Sequence, residues 1–425
     1  MGFFAPSLFA AAPPVPCQLS FRLPPPAARP ARPLPAPRAP PALPLELVVC
    51  IMEHAAFADG TADAALLGAC ALVCRAWALA AQKLLFTSVA LRSRRACSAF
   101  LAATDPASPR ARILAASVVC LRAVVDHNQP DALTPHALAR AVARCPHLYD
   151  LALALYGRAC PHAAPPFDDA ALALLRGGPR ISSLALADWS ADAHALPQLL
   201  AVWPSVHALS LAGTTPPVPC LPLPFPGALA QLRLNFQSPP SPQLLHWLTR
   251  GAPLRVLELD REPPAALLQA LVDAHAPALR ALALPACTLP EHVRAVRACV
   301  RLCELRIENP CVLPQVWRAL PPAVRHVALG VDMNTLLQPL VDLVRARGEG
   351  GGGALRAVTV LAVNGGERHA LFDVLRMVCA FGGVRLRVVR DVRVFREQLR
   401  GDPIPPSDDD FPRERSLRNM YTMRA

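Results

Sequence analysis

Along the C-terminal three quarters of the chain, apolar positions recur in the pattern L-x-x-L-x-L, with Val or Ile allowed. The pattern starts at Leu148, Ile181, Val206, Leu229, Leu254, Leu279, Leu302, Val324 and Leu355. Most starts lie 22 to 25 residues apart, with steps of 33 and 31 at the two ends. Alternating apolar positions mark a strand with one buried face. Repetition at this interval marks a stack of strand-plus-helix units, none of which can bury its apolar face alone. The fold class expected is therefore an α/β solenoid with parallel strands.

Between the strands lie helix-like pieces such as "SPQLLHWLTRG", "PPAALLQALVDAHAP" and "NTLLQPLVDLVRARG", opened by Ser, Asn or Pro and closed by Gly or Pro. The period matches that of leucine-rich repeats, so an irregular leucine-rich-repeat horseshoe is expected over residues 91–400. "GEGGGG" at 348–353 has no following Lys and Ser/Thr, which makes it an insertion and not a phosphate cradle. "VRLRVVRDV" from 384 reads as a last, degenerate strand, and 401–425 as a polar tail.

The N-terminal part has a different texture. Residues 1–42 are rich in Pro and Arg, so this arm is expected to be extended and disordered. A transit peptide shares the acid-poor look but needs an amphipathic helix, which this much proline forbids. In "LPLELVVCIMEHA", Leu47, Ile51 and Ala55 recur at i+4 on one helix face, with Pro44 suited to the first turn and Glu46 to the dipole's positive end. Further on, Leu66, Cys70, Val73, Trp77, Ala80 and Leu84 alternate four and three apart, as on one helix bent in the middle. Residues 43–90 thus form a small all-α unit that needs something to pack against.

Composition narrows the function. The formal net charge is +12, yet the arginines are scattered singly, so direct nucleic-acid binding is disfavoured. Lys83 is the only lysine. No apolar run reaches the roughly 18 to 20 residues that cross a bilayer, so no membrane partner is expected, and the chain should work in the cytoplasm or nucleus. The 14 cysteines sit at helix-like or strand-like apolar positions, as buried thiols do. The doubled Cys-Pro-His, at 145–147 and 160–162, offers four possible zinc ligands. The strand between them would hold the two pairs about 30 Å apart, so no metal and no cofactor is expected. Signatures of nucleophile elbows, zinc proteases, dinucleotide folds and Walker loops do not occur, so catalysis by this chain is not expected.

The N-terminal helices resemble an F-box. Its pattern begins Leu-Pro-x-Glu-Leu and continues to Val-Cys-Arg-x-Trp, and here those positions are Leu43, Pro44, Glu46 and Leu47, then Val73, Cys74, Arg75 and Trp77, with Ile51 and Leu72 at further apolar positions. Coupled to leucine-rich repeats, it looks like the F-box proteins common in basidiomycete fungi. That resemblance implies a substrate adaptor of a Skp-cullin-F-box type ubiquitin ligase. The ten residues just named would dock a Skp-type adaptor, and through it a cullin, while the repeats hold a target protein of unknown identity. A repeat scaffold with no ligase role is the alternative. The sequence departs from the family in the long polar segment 56–65 and in lacking the Asn/Cys ladder after each repeat strand, where Cys287 alone fits. Alternation along the strands assigns Gln231, Arg233, Asn235, Glu258, Asp260, Glu304, Arg306 and Glu308 to the concave face, as candidate target-binding residues of acidic bias.

Overall fold

The computed structural model describes residues 44–56, 63–157, 167–190, 194–216, 225–252, 254–348 and 354–398. The N-terminal arm with Leu43, the second Cys-Pro-His, the glycine run after Gly348 and the polar tail lie outside the described residues. Helices α1 (Leu45–Ala56), α2 (Ala64–Ala71) and α3 (Arg75–Thr87) come first. The strands are β1 (Ser88–Leu91), β2 (Cys120–Asp126), β3 (Asp150–Tyr156), β4 (Ser183–Trp189), β5 (Ala208–Gly213), β6 (Gln231–Phe236), β7 (Val256–Leu259), β8 (Ala281–Leu284), β9 (Glu304–Ile307), β10 (His326–Val331), β11 (Ala357–Ala362) and β12 (Arg385–Val389). Between and after them run α4 (Arg94–Ala103), α5 (Pro109–Ser117), α6 (Pro135–Ala143), α7 (Asp169–Arg176), α8 (Ala195–Val202), α9 (Pro242–Thr249), α10 (Ala265–His275), α11 (Pro290–Ala298), α12 (Gln315–Ala319), α13 (Gln338–Gly348), α14 (Phe372–Phe381) and α15 (Val392–Gln398).

The strands form one 12-stranded open sheet in strict chain order, every neighbouring pair parallel. This is an α/β fold of stacked units, consistent with the solenoid read from the repeat. A parallel pair needs a crossover, and α4 and α6 to α14 supply packing on one sheet face. That core takes alternate strand positions, such as Leu151, Leu153 and Leu155 of β3 or Leu305 and Ile307 of β9. Of the nine pattern starts, Leu148 and Leu355 are 2% and 4% exposed and the rest 0%, so each anchors the layer beneath its strand.

Register is set by backbone as well as by leucines. At the start of each strand from β3 to β11 two successive N–H groups donate to one carbonyl of the preceding repeat: Tyr149 and Asp150 to Val119 at 2.9 and 3.0 Å, Arg255 and Val256 to Ala230 at 2.7 and 3.0 Å, Arg356 and Ala357 to Arg325 at 2.7 and 3.1 Å. Beyond the strands the stack continues through bonds such as Thr214 N–H to Asp188 C=O and Val363 N–H to Val331 C=O. At the one position that matches the Asn/Cys ladder, Cys287 is fully buried and pairs in a bridge with Val312.

Several expectations need correction. The sheet begins inside the segment assigned to the helical unit, because Phe86-x-x-Val89-x-Leu91 is already a repeat motif whose Leu91 is buried. The following unit, Val118-x-x-Leu121-x-Ala123, escapes the pattern by ending in Ala. The single bent helix is two: Asp63 caps α2 by accepting from the Ala65 and Leu66 N–H groups, the turn Leu72–Val73 follows, and Cys74 starts α3 in extended backbone. α13 starts at Gln338 and not at Asn334, because Asp332 Oδ1 accepts from Asn334 N–H and Thr335 Oγ1 at 2.9 and 2.7 Å, a local turn that competes with helix. Asp168 caps α7, accepting from Ala171 N–H at 2.7 Å.

Gly330 in β10 shows how closely the units stack. A Cβ there would sit 2.0 Å from the Glu308 carbonyl oxygen, a backbone atom that cannot swing away. Gly330→Ala is therefore expected to lower the unfolding free energy by about 2 kcal/mol, read from urea denaturation followed by circular dichroism. A loss under about 0.5 kcal/mol would show that β9 and β10 have room to separate.

Candidate functional site

Two surfaces hold the residues singled out above. The first is the helical unit. Its small core consists of Val48, Met52, Leu67, Ala80, Ala81 and Leu84, with Trp77 half-buried against it. α3 also packs on α5 and β1, which ties the unit to the start of the sheet. With Val48 and Met52 turned inward, the neighbouring positions Leu47 and Ile51 of α1 are 52% and 58% exposed. In the turn between α2 and α3, Leu72 and Val73 are 88% and 60% exposed. Pro44, Glu46, Cys74 and Arg75 are exposed as well. So of the ten residues expected to dock a partner, eight face solvent, Trp77 is mainly structural, and Leu43 lies outside the described residues. Covering a large aliphatic side chain is worth about 1.5–3 kcal/mol, so these four leave a substantial apolar area open to solvent on one small unit.

The second surface is the sheet face opposite the helices. Along β3 to β5 it is floored by half-buried small residues, Ala152, Ala154, Ala185, Ala187, Ser210 and Ala212. From β6 onward it turns charged, and the expected target-binding residues are found largely engaged with one another. Arg233 binds Asp260 through Nη2 at 2.6 Å and Nε at 2.8 Å. Arg306 Nη2 lies 3.1 Å from Glu258 Oε2 and 4.0 Å from Asp260 Oδ1. Asn235 accepts from Arg261 Nε at 3.3 Å. The side chains of Arg306, Glu258 and Asp260 are only 6%, 7% and 2% exposed, and Gln231 and Glu304 are buried too. His326 Nδ1 lies 3.7 Å from Glu304 Oε1, and its Nε2 bonds Thr359 Oγ1 at 2.9 Å.

α15, which sequence reading missed, covers this network at Arg306 and Glu308. It folds over the helix-free face, where Phe395 is fully buried among Ala328, Leu361 and Val389. Its Arg396 donates two bonds to Glu308, at 2.5 and 2.7 Å, and its carbonyl accepts from Arg306 Nη1 at 3.2 Å. Glu308 hydrogen bonding holds the Arg396 guanidinium above its ordinary pKa. A signal existed: "HVALGV" and "AVTVLA" lose the apolar–polar alternation seen in "QLRLNF" of β6, which marks strands covered on both faces.

Other candidate chemistry is sparse. Among the described residues no group of three or more His, Cys, Asp or Glu could hold a metal ion, and no helix is long and apolar enough to cross a membrane. Burial pushes the Cys145 and Cys287 thiols up to about 12 and those of Cys299 and Cys379 to about 11, so these four stay protonated and inert. Scanned against protein-family models the sequence matches none, and no curated protein matches it.

Two predictions follow from the buried charges. Removing one partner of the Arg306 network strands its carboxylates in a site with little water. Arg306→Met should destabilise the fold by about 3 kcal/mol, and adding Glu258→Leu should recover part of the loss, both read from urea midpoints. Separately, burial lowers the pKa of His275 and His292 from the usual 6.5. The unfolded chain then takes up protons that the folded chain refuses, so their stabilising share is complete above about pH 6.5 and declines as the pH falls below it. The urea midpoint of the parent should drop between pH 7.5 and 5.5, and His292→Leu should reduce that drop.

Proposed function

We propose that the chain is a substrate-recognition adaptor of a Skp-cullin-F-box type ubiquitin ligase. The helical unit docks a Skp-type adaptor, which brings a cullin, and the repeat sheet holds a target protein. The single observation that carries this reading is the outward set of Leu47, Ile51, Leu72 and Val73 on a unit whose core is closed by other residues. A mere end cap of a repeat stack has no need of such a set, since its apolar area belongs against the stack. The order Leu-Pro-x-Glu-Leu then Val-Cys-Arg-x-Trp adds sequence support. In this reading Leu47, Ile51, Leu72 and Val73 supply apolar contact area. Glu46 and Arg75, both exposed, add polar contacts at the rim, and Trp77 holds α1 and α3 in place. The chain performs no chemistry itself, and ubiquitin transfer belongs to other subunits.

Leu47→Asp with Ile51→Asp tests this directly, because both side chains lie outside the core and the pair should leave the thermal melt unchanged. Capture of a Skp-type adaptor and a cullin by the tagged chain is expected to fall at least tenfold. Equal capture by the parent and the double variant, or none by the parent, would leave the scaffold reading in its place.

A further inference from the structure

The face closed by α15 has the features of a ligand site with its ligand in place. α4 and α6 to α14 pack on one side of the sheet, and α15 packs on the other. It follows β12 after two residues and holds seven, too few to be a stable helix without the surface it covers. Its hold on the sheet comes from two adjacent side chains. Phe395 fills an apolar slot made by Ala328, Leu361 and Val389, edged by Val363 and Val394. Arg396 meets Glu308 in a two-pronged pair. The third contact, from Arg306 to the Arg396 carbonyl, addresses a backbone group that any peptide carries.

Charge points the same way. On the helix-free positions of β6 to β9 and the residues just after them stand the carboxylates Glu258, Asp260, Glu304 and Glu308 against the guanidiniums Arg233 and Arg306. Across these four strands carboxylates outnumber the guanidiniums by two, and Arg396 of α15 pairs with one of them, Glu308. A bidentate carboxylate selects Arg over Lys, because only the planar guanidinium matches both oxygens.

We propose that this face is a docking site for a short helical peptide with an aromatic residue followed directly by Arg. α15 is the chain's own copy of that ligand, and an incoming segment of the same chemistry displaces it. This deepens the adaptor reading, on which it rests for the ligand being a target. The alternative occupant, α15 alone as a permanent cover, is an outcome of the test.

The probe is a fluorescent peptide with the sequence of residues 391–398, DVRVFREQ, titrated by anisotropy into the full chain. Against the parent, Phe395→Ala with Arg396→Ala should bind it at least tenfold tighter, because the cis competitor is weakened. In that background Glu308→Gln should weaken binding at least fivefold. A probe with Lys for Arg should bind several-fold less tightly, and one with Ala for Phe should not bind. If the double variant aggregates, Arg396→Ala alone keeps Phe395 in place and should gain about threefold. Equal binding by parent and released variants, or indifference to Glu308→Gln, overturns the proposal and leaves α15 a fixed cover. Leu47→Asp with Ile51→Asp leaves this peptide binding unchanged, so failure here and failure of the adaptor reading are separate results.

Discussion

Each repeat ends its turn with one carbonyl that accepts two N–H groups from the repeat that follows, and the rest of the structure depends on that repeated hand-over. From Val119 to Arg325 it ties each parallel strand to the last through backbone groups alone. A one-residue slip would turn every core leucine to the opposite face, so backbone register and leucine pattern enforce each other. Gly330 and Gly213, where an added Cβ would lie 2.0 and 2.1 Å from the neighbouring repeat's carbonyl oxygen, are the cost of stacking so closely.

With helices committed to one side, the opposite side of the sheet becomes the place where repeats can differ. β3 to β5 offer small side chains and open space, while β6 to β9 carry a charge network that is buried and paired. β10 to β12 are apolar enough to accept a cover, which α15 provides. The helical unit at the start of the sheet solves its own packing problem with Val48, Met52, Leu67 and Leu84, and so can spare Leu47, Ile51, Leu72 and Val73 for an external contact. In the proposed adaptor these are the two working surfaces, one for a constant partner and one for a variable guest.

Where residues obey a period, the sequence was readable. Nine of the strand layers follow from leucine spacing, and the helix cap at Ser241 from local hydrogen-bonding chemistry. The first two strands hid because Phe86 and Ala123 stand where the motif wants Leu. The outward aim of Leu47 and Ile51 could be proposed only through the family pattern, since helical spacing alone fits an inward face equally well. The engagement of Glu258, Arg306 and Glu308 was invisible because it depends on residues up to 90 positions apart, brought together when α15 folds back. Alternation tells which face a residue occupies and not what lies on top of it.

The measurement that probes the account most directly is hydrogen–deuterium exchange on the full chain with and without a Skp-type adaptor. The account predicts added protection confined to peptides from α1 and the α2–α3 turn, with strands β2 to β12 exchanging as before. Protection spread over the helix-free sheet face, or no change in α1 and the α2–α3 turn at saturating adaptor, would contradict it.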